Sequence, residues 1–148
     1  MPLISVTRLR VRSWTYLPQF LWDTIKSVRQ VQRSDGFLGG RLLVNPRYVF
    51  WTMTVWLDEP AMNAYRTSGA HRQAMPKLLN WCDEAAVVHW TQESPAIPSW
   101  QQAQQHMSEK GKLSKVNHPS AAQAAQQIPA PQPSRVAQTL KPARQIRT

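Results

Sequence analysis

His71 is the residue of this sequence whose type and position best suit chemistry. It lies three positions after Ser68, and serine commonly caps the start of a helix. The positive end of the helix dipole disfavours a protonated imidazole at such a position. A neutral imidazole can ligate a metal ion or accept a proton, which makes His71 the candidate catalytic and metal-ligating residue. The alternative is that His71 is an ordinary surface or capping residue.

Arg8, Arg10 and Arg12 recur at every second position of a segment rich in β-branched residues. On a strand this spacing places the three side chains on one face, with about 7 Å between neighbours. Guanidinium groups arranged in this way can bind a carboxylate through paired hydrogen bonds. They can also line a solvated subunit rim or pair with acidic residues of a second subunit, and these interpretations stay open.

Trp51 belongs to a set of aromatic residues that also includes Trp56 and Trp90. Such side chains can wall a flat hydrophobic ligand, although core packing explains them equally well. His89 lies next to Trp90 in a strand-like segment, where a histidine is usually a hydrogen-bonded sheet residue. Trp51 is therefore a candidate ligand contact, and His89 is a secondary candidate.

The elements that must position these residues alternate between two hydrophobic periods. The strand pattern covers 3–12, 37–44, 48–57 and 85–92, and the helical pattern covers 17–33 and the segment from Ser68 onward. Gly39 and Gly40 predict a bulge or a close backbone approach, and Pro76 predicts a kink or a fresh helix start. The order β-α-β-β-α-β predicts an α+β, ferredoxin-like fold, which is a four-stranded antiparallel sheet with both helices on one face.

The second face of this predicted sheet needs a cover, because its strands are apolar and aromatic. An exposed apolar sheet face is an association site. A folded unit of about 95 residues also buries only a modest core. The sequence therefore predicts a homodimer in which two sheets pack together.

Composition divides the chain into three parts. We expect a ferredoxin-like domain over 1–95, a short appended helix within 96–110, and a disordered basic tail rich in Ala, Gln and Pro over 111–148. Residues 95–148 hold seven Lys or Arg and one Glu, so more than half of the formal charge of +10 lies there. A single cysteine excludes an internal disulfide and a multi-cysteine metal site. The absence of a long apolar run predicts no membrane span and a cytoplasmic location.

Three consecutive segments resemble the dimeric α+β barrel superfamily, and within it the antibiotic-biosynthesis-monooxygenase type. The segments are FWTMTVWLDEPAMNAY, SGAHRQAMP and LLNWCDEAAVVHW. The same succession is also similar to the spheroidene-monooxygenase branch. The resemblance covers roughly 3–93 and implies a barrel formed by two sheets, with a cavity in each subunit between its sheet and its helices.

The resemblance also suggests a function. Several members of the superfamily bind haem through a histidine on the second helix, and His71 occupies the matching position. Haem is therefore the candidate cofactor, with Arg8, Arg10 and Trp51 as further contacts; otherwise no cofactor is expected. The predicted function is a monooxygenase-like homodimer that binds a small hydrophobic ligand.

The alternative function is a non-catalytic dimeric binding or scaffold protein whose basic tail contacts an anionic partner. The tail carries spread positive charge, which favours anionic surfaces through counterion release. No aromatic residue follows Trp100, so the tail lacks side chains that would stack on bases. Nucleic acid is therefore not expected as a partner.

Overall fold

One antiparallel sheet runs through the computed structural model, which describes residues 1–132 and 136–143. Its strands are β1 (Leu3–Val11), β2 (Phe37–Asn45), β3 (Val49–Trp56), β4 (Cys82–Thr91), β5 (Lys112–Leu113) and β6 (Ala137–Leu140). The helices are α1 (Leu17–Gln32), α2 (Glu59–Arg66), α3 (Gly69–Trp81), α4 (Trp100–Lys110) and α5 (Ala121–Ala124). None of the described helices is long and apolar enough to cross a membrane.

The strand order is β5-β4-β1-β3-β2-β6. Its four central strands follow the β-α-β-β-α-β order, so the α+β prediction of an antiparallel sheet is confirmed. The prediction of four strands is wrong, because the sheet has six strands within the described residues. β5 pairs with β4 and β6 pairs with β2, so both added strands extend the edges of the predicted sheet. They are short and lack a clear apolar alternation, which is why the sequence did not reveal them.

Alternation along the strands gives the sheet two chemically different faces. One carries Ser5 and Thr7 of β1 toward α1, α2 and α3, and we call it the cavity face. The other carries Ile4, Val6 and Arg8 of β1 away from those helices, and we call it the sealed face. Cross-strand pairing extends both faces over the neighbouring strands, because directly opposed residues lie on the same side.

The glycine pair in β2 behaves as the sequence predicted. The register between β2 and β3 shifts between Phe37 and Gly39, which is a bulge. Gly39 has a φ of 154°, a value that side chains rarely allow. A Cβ on Gly40 would collide with the carbonyl oxygen of Met53 on the adjacent strand. Glycine at these two positions therefore permits the bend and the close approach of the strands.

Of the two outcomes predicted at Pro76, the fresh helix start is not found, and the kink stays a prediction. α3 is one helix that runs from Gly69 to Trp81 with Pro76 inside it. Pro76 is exposed, so the Arg72 carbonyl that loses its helical partner faces the solvent side. The proline is tolerated there without a fresh helix start.

The sealed face is covered by the chain itself. Ala103 and Met107 of α4 are 0% and 1% exposed and pack on the core that contains Val6 and Met53. The α4 N-terminus is fixed by a capping box in which Ser99 and Gln102 bond each other's backbone. The uncovered apolar face that motivated the homodimer is therefore not found. A sheet-to-sheet dimer would require α4 to move.

The segment after α4 also differs from the expected disordered tail over 111–148. Gln123 of α5 donates to the Ala85 and Ser114 carbonyls and accepts from the Ala85 amide, and Leu140 of β6 is 1% exposed. Asn45 and Gln132 exchange two hydrogen bonds. The described part of this segment is thus folded onto the domain, whereas 133–135 and 144–148 lie outside the described residues. The short helix expected within 96–110 corresponds to α4.

Candidate functional site

A cavity of about 600 Å³ lies between the cavity face and helices α1, α2 and α3. This is the location that the family resemblance implied. A volume of this size is within the range of sites that hold small organic molecules. The strands supply the floor, and the helices supply the walls.

The floor of the cavity carries a set of strand hydroxyl groups. Ser5 stands opposite both Thr54 and His89, and Thr7 stands opposite Thr52. Thr54 accepts a hydrogen bond from the Trp56 indole at 2.9 Å. Within the described residues the hydroxyls of Ser5, Thr7 and Thr52 have no hydrogen-bond partner, although all three line the cavity. These groups are therefore available to a bound molecule.

Aromatic side chains form the two ends of the cavity. Phe20 of α1 packs on Phe50 of β3 with ring centroids 4.7 Å apart. Tyr65 of α2 packs on Trp56 of β3 at 5.3 Å. Burial raises the pKa of Tyr65 far above its usual value, and hydrogen bonding by the Ser27 side chain only partly offsets this. Tyr65 is therefore a neutral phenol, and the cavity is apolar at both ends.

His71 lines this cavity from the first turn of α3. Its backbone amide donates to Gln30 Oε1 at 2.8 Å, and its ring lies 4.7 Å from the Tyr65 ring. Nδ1 is 3.2 Å from the Arg66 carbonyl oxygen. Because a carbonyl oxygen only accepts, this bond places the proton on Nδ1 and leaves Nε2 as an acceptor.

The electrostatics keep His71 neutral. Burial lowers the pKa of His71, the Arg66 carbonyl opposes this, and the Arg66 charge lowers the pKa further. His89 also lines the cavity, and its pKa is lowered by partial burial and then by the charge of Arg66. One guanidinium thus acts on both histidines. The cavity therefore holds neutral imidazoles that can accept protons but carry no charge.

The other predicted site residues lie on the sealed face. Arg8 is 5% exposed and donates to Glu84 at 2.6 Å, and Arg10 contacts the same carboxylate at 3.2 Å. Ser120 donates to Glu84 at 2.7 Å. Burial raises the pKa of Glu84, but the Ser120 and Arg8 hydrogen bonds and the Arg8 charge outweigh it, so the net pKa is lowered. The arginines thus neutralise an acid of their own chain.

Trp51 is 1% exposed and lies on the sealed face as well. Its ring makes an edge contact with Trp100 of α4 at 6.3 Å, and the Arg8 guanidinium lies 6.0 Å from its centre. Trp51 is therefore a core residue under α4. Core packing, which was one of the two interpretations of this tryptophan, is what its surroundings show.

The four residues predicted to contact a haem do not form one site. His71 lines the cavity, and Arg8 and Arg10 lie across the thickness of the sheet. Trp51 borders the cavity, although its ring packs against Trp100 on the sealed face. Arg8 and Arg10 are also already paired with acids of their own chain, Arg8 with Glu84 and Arg10 with Glu84 and Asp83. The four predicted residues therefore do not fit a single haem. Of the four, His71 is the one with a ring nitrogen, Nε2, that could ligate iron. Among the described residues, no group of three His, Cys, Asp or Glu could hold a metal ion.

Ser5, Thr7, Thr52 and Tyr65 were missed as site residues by the sequence. The signal was present in part, because Ser5 and Thr7 share a face with Leu9, and Thr52 shares one with Phe50. Polar residues on a strand face that should be buried indicate either a hydrogen-bonded core or a ligand surface. Only the positions of the helices distinguish these two cases.

Comparisons with known proteins support the fold. No family model matches the chain, and no curated protein matches it. Among solved structures, SnoaB, a cofactor-independent oxygenase from Streptomyces nogalater, is 16% identical with a TM-score of 0.52, over 63% of this chain and 94% of that one. A structure described as an antibiotic biosynthesis monooxygenase is 14% identical with a TM-score of 0.55, over 62% and 99%. Rv0793 from Mycobacterium tuberculosis is 11% identical with a TM-score of 0.56, over 64% and 97%.

At such low identity these matches establish the fold and not the activity. The resemblance to the antibiotic-biosynthesis-monooxygenase type is confirmed at that level. The similar chains are covered almost completely, whereas more than a third of this chain has no counterpart in them. Beyond the ferredoxin-like order, the described structure adds α4, β5, α5 and β6. The narrower likeness to the spheroidene-monooxygenase branch stays a prediction.

Proposed function

We propose that this chain, which has the fold of antibiotic-biosynthesis-monooxygenase-type proteins, is a monooxygenase-like protein that binds a small, largely apolar molecule. The observation that carries the proposal is the cavity of about 600 Å³ with free hydroxyls on its floor and aromatic rings at its ends. An apolar body would fill the space between Phe50 and Trp56. A few polar atoms on the ligand would bond Ser5, Thr7 and Thr52.

His71 is the residue that we propose for chemistry in this cavity. Its lowered pKa keeps the ring neutral, and its Nδ1–H bond to Arg66 leaves Nε2 as the acceptor. A neutral imidazole can take a proton from a ligand hydroxyl, which is the first requirement for activating an electron-rich ring toward oxidation. The cofactor-independent activity belongs to SnoaB by its description, and for this chain it is part of the proposal.

The experiment is a binding titration with anilinonaphthalene sulfonate as the apolar probe. Wild-type protein should bind the probe with saturation. Thr7→Phe should lower the affinity at least about tenfold, because a phenyl ring occupies the centre of the floor. Leu57→Ser is the control, since Leu57 is 57% exposed and lies outside the cavity. Unchanged affinity in Thr7→Phe, with an intact fold, would reject the cavity as the site.

Haem is tested in parallel, because His71 alone could still ligate it. The measurement is the absorption spectrum after expression with adequate haem supply. A Soret band that disappears in His71→Ala would show haem ligation by this residue. A Soret band retained in His71→Ala would show that haem binds without ligation by His71, and absence of the band in wild type would favour the cofactor-free form of the proposal.

Two further sequence predictions bear on the function. A homodimer stays a prediction, and it cannot use the sealed face while α4 covers that face. The alternative of a non-catalytic scaffold with a basic tail also stays open. Its anionic contacts would come from exposed residues such as Lys112 and Lys115. Probe binding without turnover of any phenolic compound would favour this alternative.

A further inference from the structure

Exposed apolar side chains are concentrated on the helical layer of the molecule. The largest are Trp14 at 68% exposure and Trp22 at 58%. The members of this set, which we call the apolar patch, are Trp14, Leu21, Trp22, Ile25, Met75 and Leu79. A domain that only had to fold would not favour two exposed tryptophans beside four aliphatic residues.

The spacing of these residues makes the patch continuous along each helix. Leu21, Trp22 and Ile25 fall within one side of α1, and Met75 and Leu79 are one turn apart on α3. None of them is needed by the sealed face, where the core is closed by α4. Apart from Trp14, which lies in the turn just before α1, the patch is therefore a surface feature of α1 and α3.

Positive charge surrounds the apolar patch. α1 and α3 together carry Lys26, Arg29, Arg72 and Lys77 and only one acid, Asp23. Asp23 is 8% exposed and is bonded by Lys26 at 3.3 Å and by Lys77 at 3.2 Å. The acid is thus buried beneath the two lysines. The outer surface of the two helices is apolar in the middle and cationic around it.

We propose that the apolar patch docks on an anionic lipid bilayer. Tryptophan prefers the boundary between lipid and water, and lysine and arginine are attracted to anionic headgroups. A helix surface that combines these groups is typical of proteins that lie on a membrane without crossing it. A second copy of the chain is the less suitable occupant, because a two-fold contact would bring the same cations face to face.

The docked surface adjoins the cavity. Leu21, Ile25, Met75 and Leu79 are exposed members of the apolar patch and also line the cavity. A bilayer resting on the patch would therefore stand at the mouth of the cavity, and an apolar ligand could pass between them without crossing water. This last step rests on the proposed function, whereas docking itself does not.

The experiment is co-sedimentation of the full chain with vesicles. Mixed phosphatidylglycerol–phosphatidylcholine vesicles should bind the protein, pure phosphatidylcholine vesicles should bind it less, and added salt should weaken the binding. The variant Trp22→Ser should lower the affinity at least about tenfold. Leu57→Ser is the matched control, because Leu57 and Trp22 are 57% and 58% exposed.

A second pair of variants separates charge from apolar contact. Arg29→Gln with Arg72→Gln should reduce binding to mixed vesicles but not to pure phosphatidylcholine vesicles. Arg47→Gln, in the turn between β2 and β3, should change neither. Full vesicle affinity in the Trp22→Ser variant would overturn the proposal and assign binding to the basic tail. Patch-dependent self-association without vesicle binding would overturn it in favour of a second copy.

The outcome is distinguishable from a failure of the proposed function. The Trp22→Ser variant should bind anilinonaphthalene sulfonate in solution with nearly wild-type affinity, because Trp22 does not line the cavity. Loss of vesicle binding with retained probe binding supports docking and leaves the cavity intact. If the wild type does not bind the probe, the cavity proposal is rejected and the docking proposal is not.

Discussion

The two faces of the sheet are built from the same strands and have opposite properties. Met53 points to the sealed face and is 0% exposed, whereas its neighbour Thr52 points to the cavity with a free hydroxyl. On the sealed side, α4 fills the space above the strands. On the other side, the helices leave about 600 Å³ open. The sealed face therefore stabilises the fold through close packing, and the cavity face leaves space for a ligand.

The two faces also differ in their ionisable groups. Arg8, Arg10 and Glu84 lie on the sealed side, where Ser120 of the C-terminal segment completes their hydrogen bonds. His71 and His89 line the cavity, and the pKa of each is lowered. A buried ion cluster thus lies beneath the cover, whereas the neutral form of the two imidazoles is favoured in the cavity.

The largest expected effect comes from breaking the cover of the sealed face. Ala103→Asp places a carboxylate at a position that is 0% exposed and should cost about 3 kcal/mol or more of unfolding free energy. The variant should release α4 and self-associate through the exposed sheet, which light scattering would detect. Gln104→Asp, on the solvent side of α4, is the control. The conclusion that α4 covers the sheet would be contradicted if the wild type were already a dimer and Ala103→Asp changed neither its mass nor its stability.

The ion cluster gives the next effect. Glu84→Gln leaves the Arg8 guanidinium, which is 5% exposed, without its counter-charge. We expect a loss of about 3 to 5 kcal/mol in urea unfolding. Glu93→Gln, at an exposed site, should change stability little. Equal stability of both variants would mean that solvent reaches the cluster.

A pair of adjacent substitutions measures the contrast between the faces directly. Met53→Ala should cost about 2 to 5 kcal/mol, because it opens a void in the sealed core. Thr52→Val keeps the shape of the side chain and removes a hydroxyl that has no partner among the described residues, so it should change stability by less than about 1 kcal/mol. It should nevertheless weaken probe binding. Similar stability losses for the two variants would show that the cavity face is packed.

The smallest effect is a pH dependence from His71. Burial lowers its pKa below the value of about 6.5 in the unfolded chain, so the unfolded state takes up protons first. The stability associated with the neutral ring is complete above about 6.5 and is lost as the pH falls toward the folded-state pKa. His71→Gln should flatten this part of the stability curve. The stability that is lost when Glu84 becomes protonated is separable, because the lowered pKa of Glu84 confines that loss to pH values below about 4.5.

Much of the central fold was predictable from local pattern. Strand β1 ends at Val11 where alternation predicted Arg12, and α1 ends at Gln32 where the helical period predicted Arg33. Alternation also predicted that Arg8 and Arg10 share one face of the strand, and they contact the same carboxylate. Strand β4 begins at Cys82, earlier than predicted, because Cys82 and Glu84 continue the pairing with β1 across an irregular register.

The sequence by itself determined the periodic elements, their order and which residues share a face, because each of these depends on neighbours along the chain. Only the tertiary structure decided what covers each face. The acid that neutralises Arg8 lies 76 positions away, and α4 reaches the sheet through a segment with no strong periodic signal. The distance between helices and sheet, which turns Ser5 and Thr7 from core residues into a cavity floor, depends on packing across the whole domain. That packing sums many weak long-range contacts, and no local spacing encodes it.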